Sequence, residues 1–94
     1  MPLGFEWDSA KAWRNEAKHG VTFAEAQTVF RDPLGGIVDD PRHSTGERRL
    51  VLIGMSERQR LIAVMFTEKS DRIRLISARQ VTRAERRSYE ETSR

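Results

Sequence analysis

Two histidines, His19 and His43, are the residues whose ordinary pKa lies near neutrality. His43 stands in the polar run Asp39-Asp40-Pro41-Arg42-His43-Ser44-Thr45-Gly46, which leads into Glu47 and Arg48. In that setting His43 is the first choice for a general acid or base, followed by Glu47 and Tyr89. Lys18 would serve only with a lowered pKa. The phosphate-directed groups are arginines, whose planar fork of donors matches phosphate oxygens but does not exchange protons. A proton-exchanging loop and a set of guanidinium groups suit metal-free cleavage of RNA. There the ribose 2′-hydroxyl attacks the next phosphate, one group takes its proton, another protonates the leaving oxygen, and cations steady the phosphate. Each residue also has a plainer role. His43 with Asp40 could simply order its loop, and Glu47 with Arg48 could be an edge-strand charge pair. His19 before Gly20 suits a helix end, and Trp7 and Trp13 suit core or interface anchors. Tyr89 suits packing against a sheet.

The charge supports this distribution. Lys+Arg total 17 and Asp+Glu 14, a net charge of +3, but residues 1–71 sum to −1 and residues 72–94 to +4. The seven basic residues in the last segment are all arginine. A salt-bridged C-terminal helix explains Arg86, Arg87 and Arg94 equally well, because Glu85, Glu90 and Glu91 are close by. Arg72, Arg74 and Arg79 precede that helix in a strand-like segment. With no cysteine, the chain has no disulfide, no thiolate nucleophile and no cysteine zinc site, which fits a cytoplasmic location. Nucleophile-elbow, P-loop, dinucleotide-binding and HExxH patterns are missing, and Asp40-x-x-His43 is a minimal metal pattern, so no cofactor is expected. The opening run has neither a basic nor an apolar signal segment, and no apolar run approaches the ~20 residues that cross a bilayer.

The elements that must position these residues follow from pattern. The 94 residues support one domain, spanning 1–94. Phe5-Glu6-Trp7 reads as a short strand, and Asp8 as the N-cap of a helix to about His19, with Ala10, Trp13 and Ala17 as its buried stripe. Gly20 is its left-handed stop. Thr22 and Glu25 form a capping box for a second helix over about 23–30, ended by Asp32-Pro33. Leu34 to Val38 reads as a strand with a glycine bulge. Strands are then expected over Arg48–Met55, Leu61–Thr67 and Arg72–Arg79, joined by connectors too short for parallel crossovers. Thr82 and Glu85 open a last helix. The order predicts an α+β fold, with helices on one face of an antiparallel sheet of about four strands. Leu61–Thr67, apolar on both faces, is the expected central strand. Simple alternation in the last strand puts Ile73, Leu75, Ser77 and Arg79 on one face and Arg74 on the other.

Several runs together resemble the BrnT toxin family. They are Phe5-Glu6-Trp7-Asp8, Lys11-Ala12-x-x-Asn15-x-x-Lys18-His19-Gly20-Val21-x-Phe23-x-x-Ala26 and Val29-Phe30-x-Asp32-Pro33. They continue with Asp40-x-x-His43-Ser44-x-Gly46-Glu47-Arg48, Ile53-Gly54 and Arg74-x-Ile76-Ser77-Ala78-Arg79-x-x-Thr82-x-x-Glu85-Arg86-x-x-Tyr89. The resemblance implies a RelE-like fold and a metal-independent endoribonuclease that arrests translation as the toxin of a type II toxin–antitoxin pair. It implies a BrnA-type antitoxin partner in a hetero-oligomer that binds operator DNA through the antitoxin. The expected active-site set is His43, Glu47, Arg48 and Arg79, with Lys18, Arg74, Arg83 and Arg86 contacting RNA. On the residues alone, a non-catalytic nucleic-acid-binding module and a protein-interaction domain pairing through its sheet stay open as alternatives.

Overall fold

The computed structural model describes residues 4–40 and 48–92. The elements are β1 (Gly4–Glu6), α1 (Ser9–His19), α2 (Phe23–Thr28) continued by a 3₁₀ turn (Val29–Arg31), β2 (Gly36–Asp39), β3 (Leu50–Met55), β4 (Leu61–Lys69), β5 (Arg72–Gln80) and α3 (Arg83–Thr92). The architecture is α+β, as expected, but the sheet has five strands in the order β1-β5-β4-β3-β2. β1 runs parallel to β5, and the other pairs are antiparallel. β4 is central.

The caps form for the stated reasons. Asp8 accepts hydrogen bonds from the Ala10 and Lys11 N–H groups, and Gly20 closes α1 at φ 70°, where a Cβ would be strained. Thr22 caps α2 through the Glu25 N–H at 3.0 Å. Its partner in the expected capping box is diverted. The buried Glu25 carboxylate instead accepts from Ser56 Oγ at 2.7 Å and from Arg60 Nε and Nη2. This buried pair ties α2 to the β3–β4 hairpin.

The core lies between the α1–α2 layer and the sheet. Val21, Phe23, Ala26 and Val29 meet Leu52, Ile62, Val64, Phe66, Leu75 and Ala78. Gly54 lets the 3₁₀ turn after α2 approach β3, since a Cβ there would stand 2.9 Å from Val29 Cγ1.

The stripe expected to bury α1 points the other way. Ala10, Trp13 and Ala17 are exposed, Trp13 at 76 %, and Asn15 is buried at 7 %. Asn15 Nδ2 donates to Val21 O and Ala78 O, both at 2.9 Å, and its Oδ1 accepts from Ala78 N at 3.0 Å. Satisfying three buried backbone groups outweighs the apolar period and fixes the helix rotation.

Three further expectations change. β2 pairs with β3 in regular register, so no glycine bulge occurs there. The bulge lies in β5, where Met65 pairs with Ser77 and Phe66 with Leu75, skipping Ile76. An extra residue reverses the alternation beyond it, so Ala78 joins Ile73 and Leu75 in the core, and Arg74 and Arg79 share the opposite face. Finally, α3 crosses that opposite face and covers part of it, instead of joining α1 and α2.

Candidate active site

Between α3 and the outer face of β2–β3 runs a groove of about 600 Å³. Leu34, Ile37, Val38, Val51 and Ile53 form an apolar floor, with Arg79, Asp39, Asp40, Glu85, Ser88 and Tyr89 around it. The even-numbered residues Leu50, Leu52 and Gly54 are buried on the core side, so Val51 and Ile53 of the same strand are left for the groove.

Arg79 is held from two directions. Its Nη1 and Nη2 donate to Glu85 Oε1 at 2.8 Å and Oε2 at 3.0 Å, and Nη1 also reaches Gln80 O at 3.2 Å. Among the described residues, Nε–H has no hydrogen-bond partner. The side of the guanidinium formed by Nε and the second Nη2 hydrogen is thus the part left to meet a ligand. The Glu85 fork holds the Arg79 pKa above its ordinary value and the Glu85 pKa below its own. Glu85 is itself fixed by the second capping box, accepting from Thr82 N at 2.8 Å and donating its N–H to Thr82 Oγ1 at 3.2 Å. One carboxylate therefore starts α3 and aims Arg79.

At the other end of the groove, Tyr89 Oη donates to Asp32 Oδ2 at 2.7 Å, which also accepts from Met55 N at 2.7 Å. Burial and this carboxylate push the Tyr89 pKa up to about 12. A neutral phenol already donating to a carboxylate pins α3 to the sheet and is no base at neutral pH. Burial pushes the Asp32 pKa up, but hydrogen bonds from Tyr89, Met55 N and Leu34 N outweigh it and hold the group below its ordinary value. Asp32 was legible only as a helix stop, because its partner lies 57 residues away.

His43 and Glu47 lie outside the described residues. The described residues flanking that segment are Asp40, on the groove wall, and Arg48, whose Nε donates to Asp39 Oδ1 at 2.8 Å. Of the expected RNA contacts, Arg74 shares the sheet face of Arg79 but is committed with Arg72 to the Glu6 carboxylate, at 3.1 and 3.0 Å. Arg83 and Arg86 lie exposed in the first half of α3. Lys18 is on α1, across the sheet from the groove. Among the described residues, no three His, Asp or Glu side chains gather into a group that could hold a metal ion.

Residues 7–85 match the family model described as "Ribonuclease toxin, BrnT, of type II toxin-antitoxin system". The chain belongs to the BrnT family. The crystal structure of the Brucella abortus ribonuclease toxin BrnT superposes with a TM-score of 0.66 at 26% identity, covering 87% of this chain and all of that one. No curated protein matches the chain in sequence. The family is one of ribonuclease toxins that pair with an antitoxin. Among the described residues, no helix is long and apolar enough to cross a membrane.

Proposed function

We propose that this chain cleaves RNA without a metal ion, through attack of a ribose 2′-hydroxyl on the adjacent phosphorus, and that the Arg79 groove receives the reacting phosphate. The 2′-oxygen bonds to phosphorus as the bond to the 5′-oxygen of the next nucleotide breaks, leaving a cyclic phosphate and a 5′-hydroxyl. Arg79 balances the charge that builds on the phosphate oxygens. It cannot carry the proton, so His43 and Glu47, in the segment entered from Asp40 and left at Arg48, take the acid and base roles. Arg48 adds a cation at the segment's end. Arg83 and Arg86 contact the flanking strand, as does Arg74 where it can leave Glu6. The observation that carries this reading, beyond the family match, is the guanidinium clamped in a groove with its side-on donors turned free of described partners. A BrnA-type antitoxin neutralises the chain in the cytoplasm, and operator binding passes through that partner.

The test is cleavage of a single-stranded RNA in EDTA. Arg79→Ala is expected to lose about 10²–10³-fold in kcat while keeping its circular dichroism spectrum. His43→Ala is expected to lose activity and to remove one limb of the pH–rate profile. Undiminished cleavage by a folded Arg79→Ala variant would remove the groove from the reaction. Restoration of activity only by added Mg²⁺ would remove the metal-free mechanism.

A further inference from the structure

The outward face of α1 carries two parallel rows, each with i, i+3, i+7 spacing and one residue out of phase. One is Ala10, Trp13 and Ala17; the other is Lys11, Arg14 and Lys18. A one-residue offset turns the second row about 100° from the first, so the rows lie side by side along roughly two turns. All six residues are exposed. Trp13, at 76 %, is the most exposed of the large apolar side chains among the described residues. The apolar row faces outward because Asn15, on the opposite side of the helix, is locked to Val21 and Ala78.

Outside the second row, basic side chains are only partly paired, and among the described residues Arg31, Arg49, Lys69, Arg83 and Arg87 have no carboxylate within 4 Å. Arg48, Arg60, Arg72, Arg74, Arg79 and Arg86 each have a carboxylate within 4 Å. Lys11, Arg14 and Lys18 have none among the described residues. The nearby acids are Asp8, whose carboxylate caps the Ala10 and Lys11 N–H groups, and Glu16, on the Trp13 side of the helix. Asp8 acts electrostatically on Lys11 and Arg14 without pairing closely with either, so the row keeps a reduced positive charge beside the exposed Trp13 indole.

We propose that this face of α1 binds single-stranded nucleic acid, with a base stacked on Trp13 above the alanine row and the backbone phosphates along Lys11, Arg14 and Lys18. Every nucleotide presents a flat ring beside an anion, and the two rows offer the complementary pair. A protein partner would have to bring several carboxylates into line with this row, whereas a nucleic-acid strand carries an anion at every nucleotide. The face lies across the sheet from the Arg79 groove, in a molecule measuring 34 × 27 × 26 Å, so it holds RNA away from the point of cleavage. The biological sense of this contact rests on the ribonuclease reading, but its test does not.

The probe is a dye-labelled 20-nucleotide single-stranded 2′-O-methyl oligonucleotide, which lacks the attacking hydroxyl; its fluorescence anisotropy gives the affinity of every variant, and indole emission of the wild type reports stacking. Trp7 is half-buried and packs edge-on against Phe23, at 5.8 Å between ring centroids, so Trp13 is the more exposed of the two indoles. Quenching is expected in the wild type. Trp13→Ala should bind about tenfold more weakly, and Trp13→Phe should bind nearly normally. Lys11→Glu/Arg14→Glu/Lys18→Glu should lower the slope of log affinity against log salt by about 2, at roughly 0.7 per phosphate contact. Unchanged affinity and salt slope in the folded variants would overturn the proposal. Quenching by the antitoxin but not by the oligonucleotide would overturn it as well, and would assign the face to a protein. Trp13-dependent binding by a chain that cleaves no RNA would sink the ribonuclease reading and leave this one standing.

Discussion

Glu85 shows how one side chain can serve the backbone and the site together. Its Oε1 accepts from both Thr82 N–H and Arg79 Nη1, while Oε2 takes Nη2 alone. Glu85→Gln keeps an oxygen for the helix cap but loses the charge and one arm of the fork, so the helix should persist while Arg79 swings. The expected outcome is a fall in kcat of about tenfold or more, with KM for RNA little changed and the helical circular dichroism intact. Thr82→Ala provides the contrast, loosening the start of α3 while leaving the fork. Tyr89 gives a second check, because it is the chain's single tyrosine. Its absorbance titration should have a midpoint near 12, and Asp32→Asn should lower it while the share due to burial stays. The Asp32–Tyr89 partnership could not be read locally, because the two are adjacent only where α3 folds back over β3.

At the level of elements, the boundaries follow the capping and breaking residues closely. Asp8, Gly20, Thr22 and Thr82 start or stop their helices as their chemistry requires. The faces of those elements did not follow from local pattern. In α1 the apolar period pointed to Trp13, and buried hydrogen bonding chose Asn15. In β5 the two-residue period separated Arg74 from Arg79, and one skipped residue placed them together. Asn15→Ala should cost about 3 kcal/mol in chemical denaturation, because it leaves buried backbone groups of Val21 and Ala78 without partners. Gly54→Ala should also destabilise, by about 1–3 kcal/mol, since its methyl would overlap Val29 Cγ1. A Gly54→Ala protein as stable as wild type would show that the 3₁₀ turn carrying Val29 can retreat from the sheet.

Across the whole molecule, carboxylates act as joints between elements. Glu6 joins β1 to β5, Glu25 joins α2 to the β3–β4 hairpin, Asp32 joins the end of the 3₁₀ turn to β3 and α3, and Glu85 joins α3 to β5. All four are held below their ordinary pKa values, Glu6, Glu25 and Glu85 chiefly by arginine hydrogen bonds. A carboxylate depressed in the folded state stabilises fully above its unfolded pKa, and that stability is lost as pH falls through the folded value. The thermal midpoint should therefore stay level from pH 7 to about 5 and fall steeply below about pH 4. A midpoint unchanged at pH 3 would show that these joints contribute nothing. The α+β class, the central strand, the caps and the family were legible in the residues alone, because these depend on short-range periodicity and on motifs written along the chain. Packing of the elements against one another set which way Trp13 faces, that Arg79 shares a face with Arg74, and that Glu85 and Asp32 frame the groove. Those outcomes depend on partners dozens of residues apart, and on a bulge and a buried amide whose effects appear only once the sheet and helices are packed together.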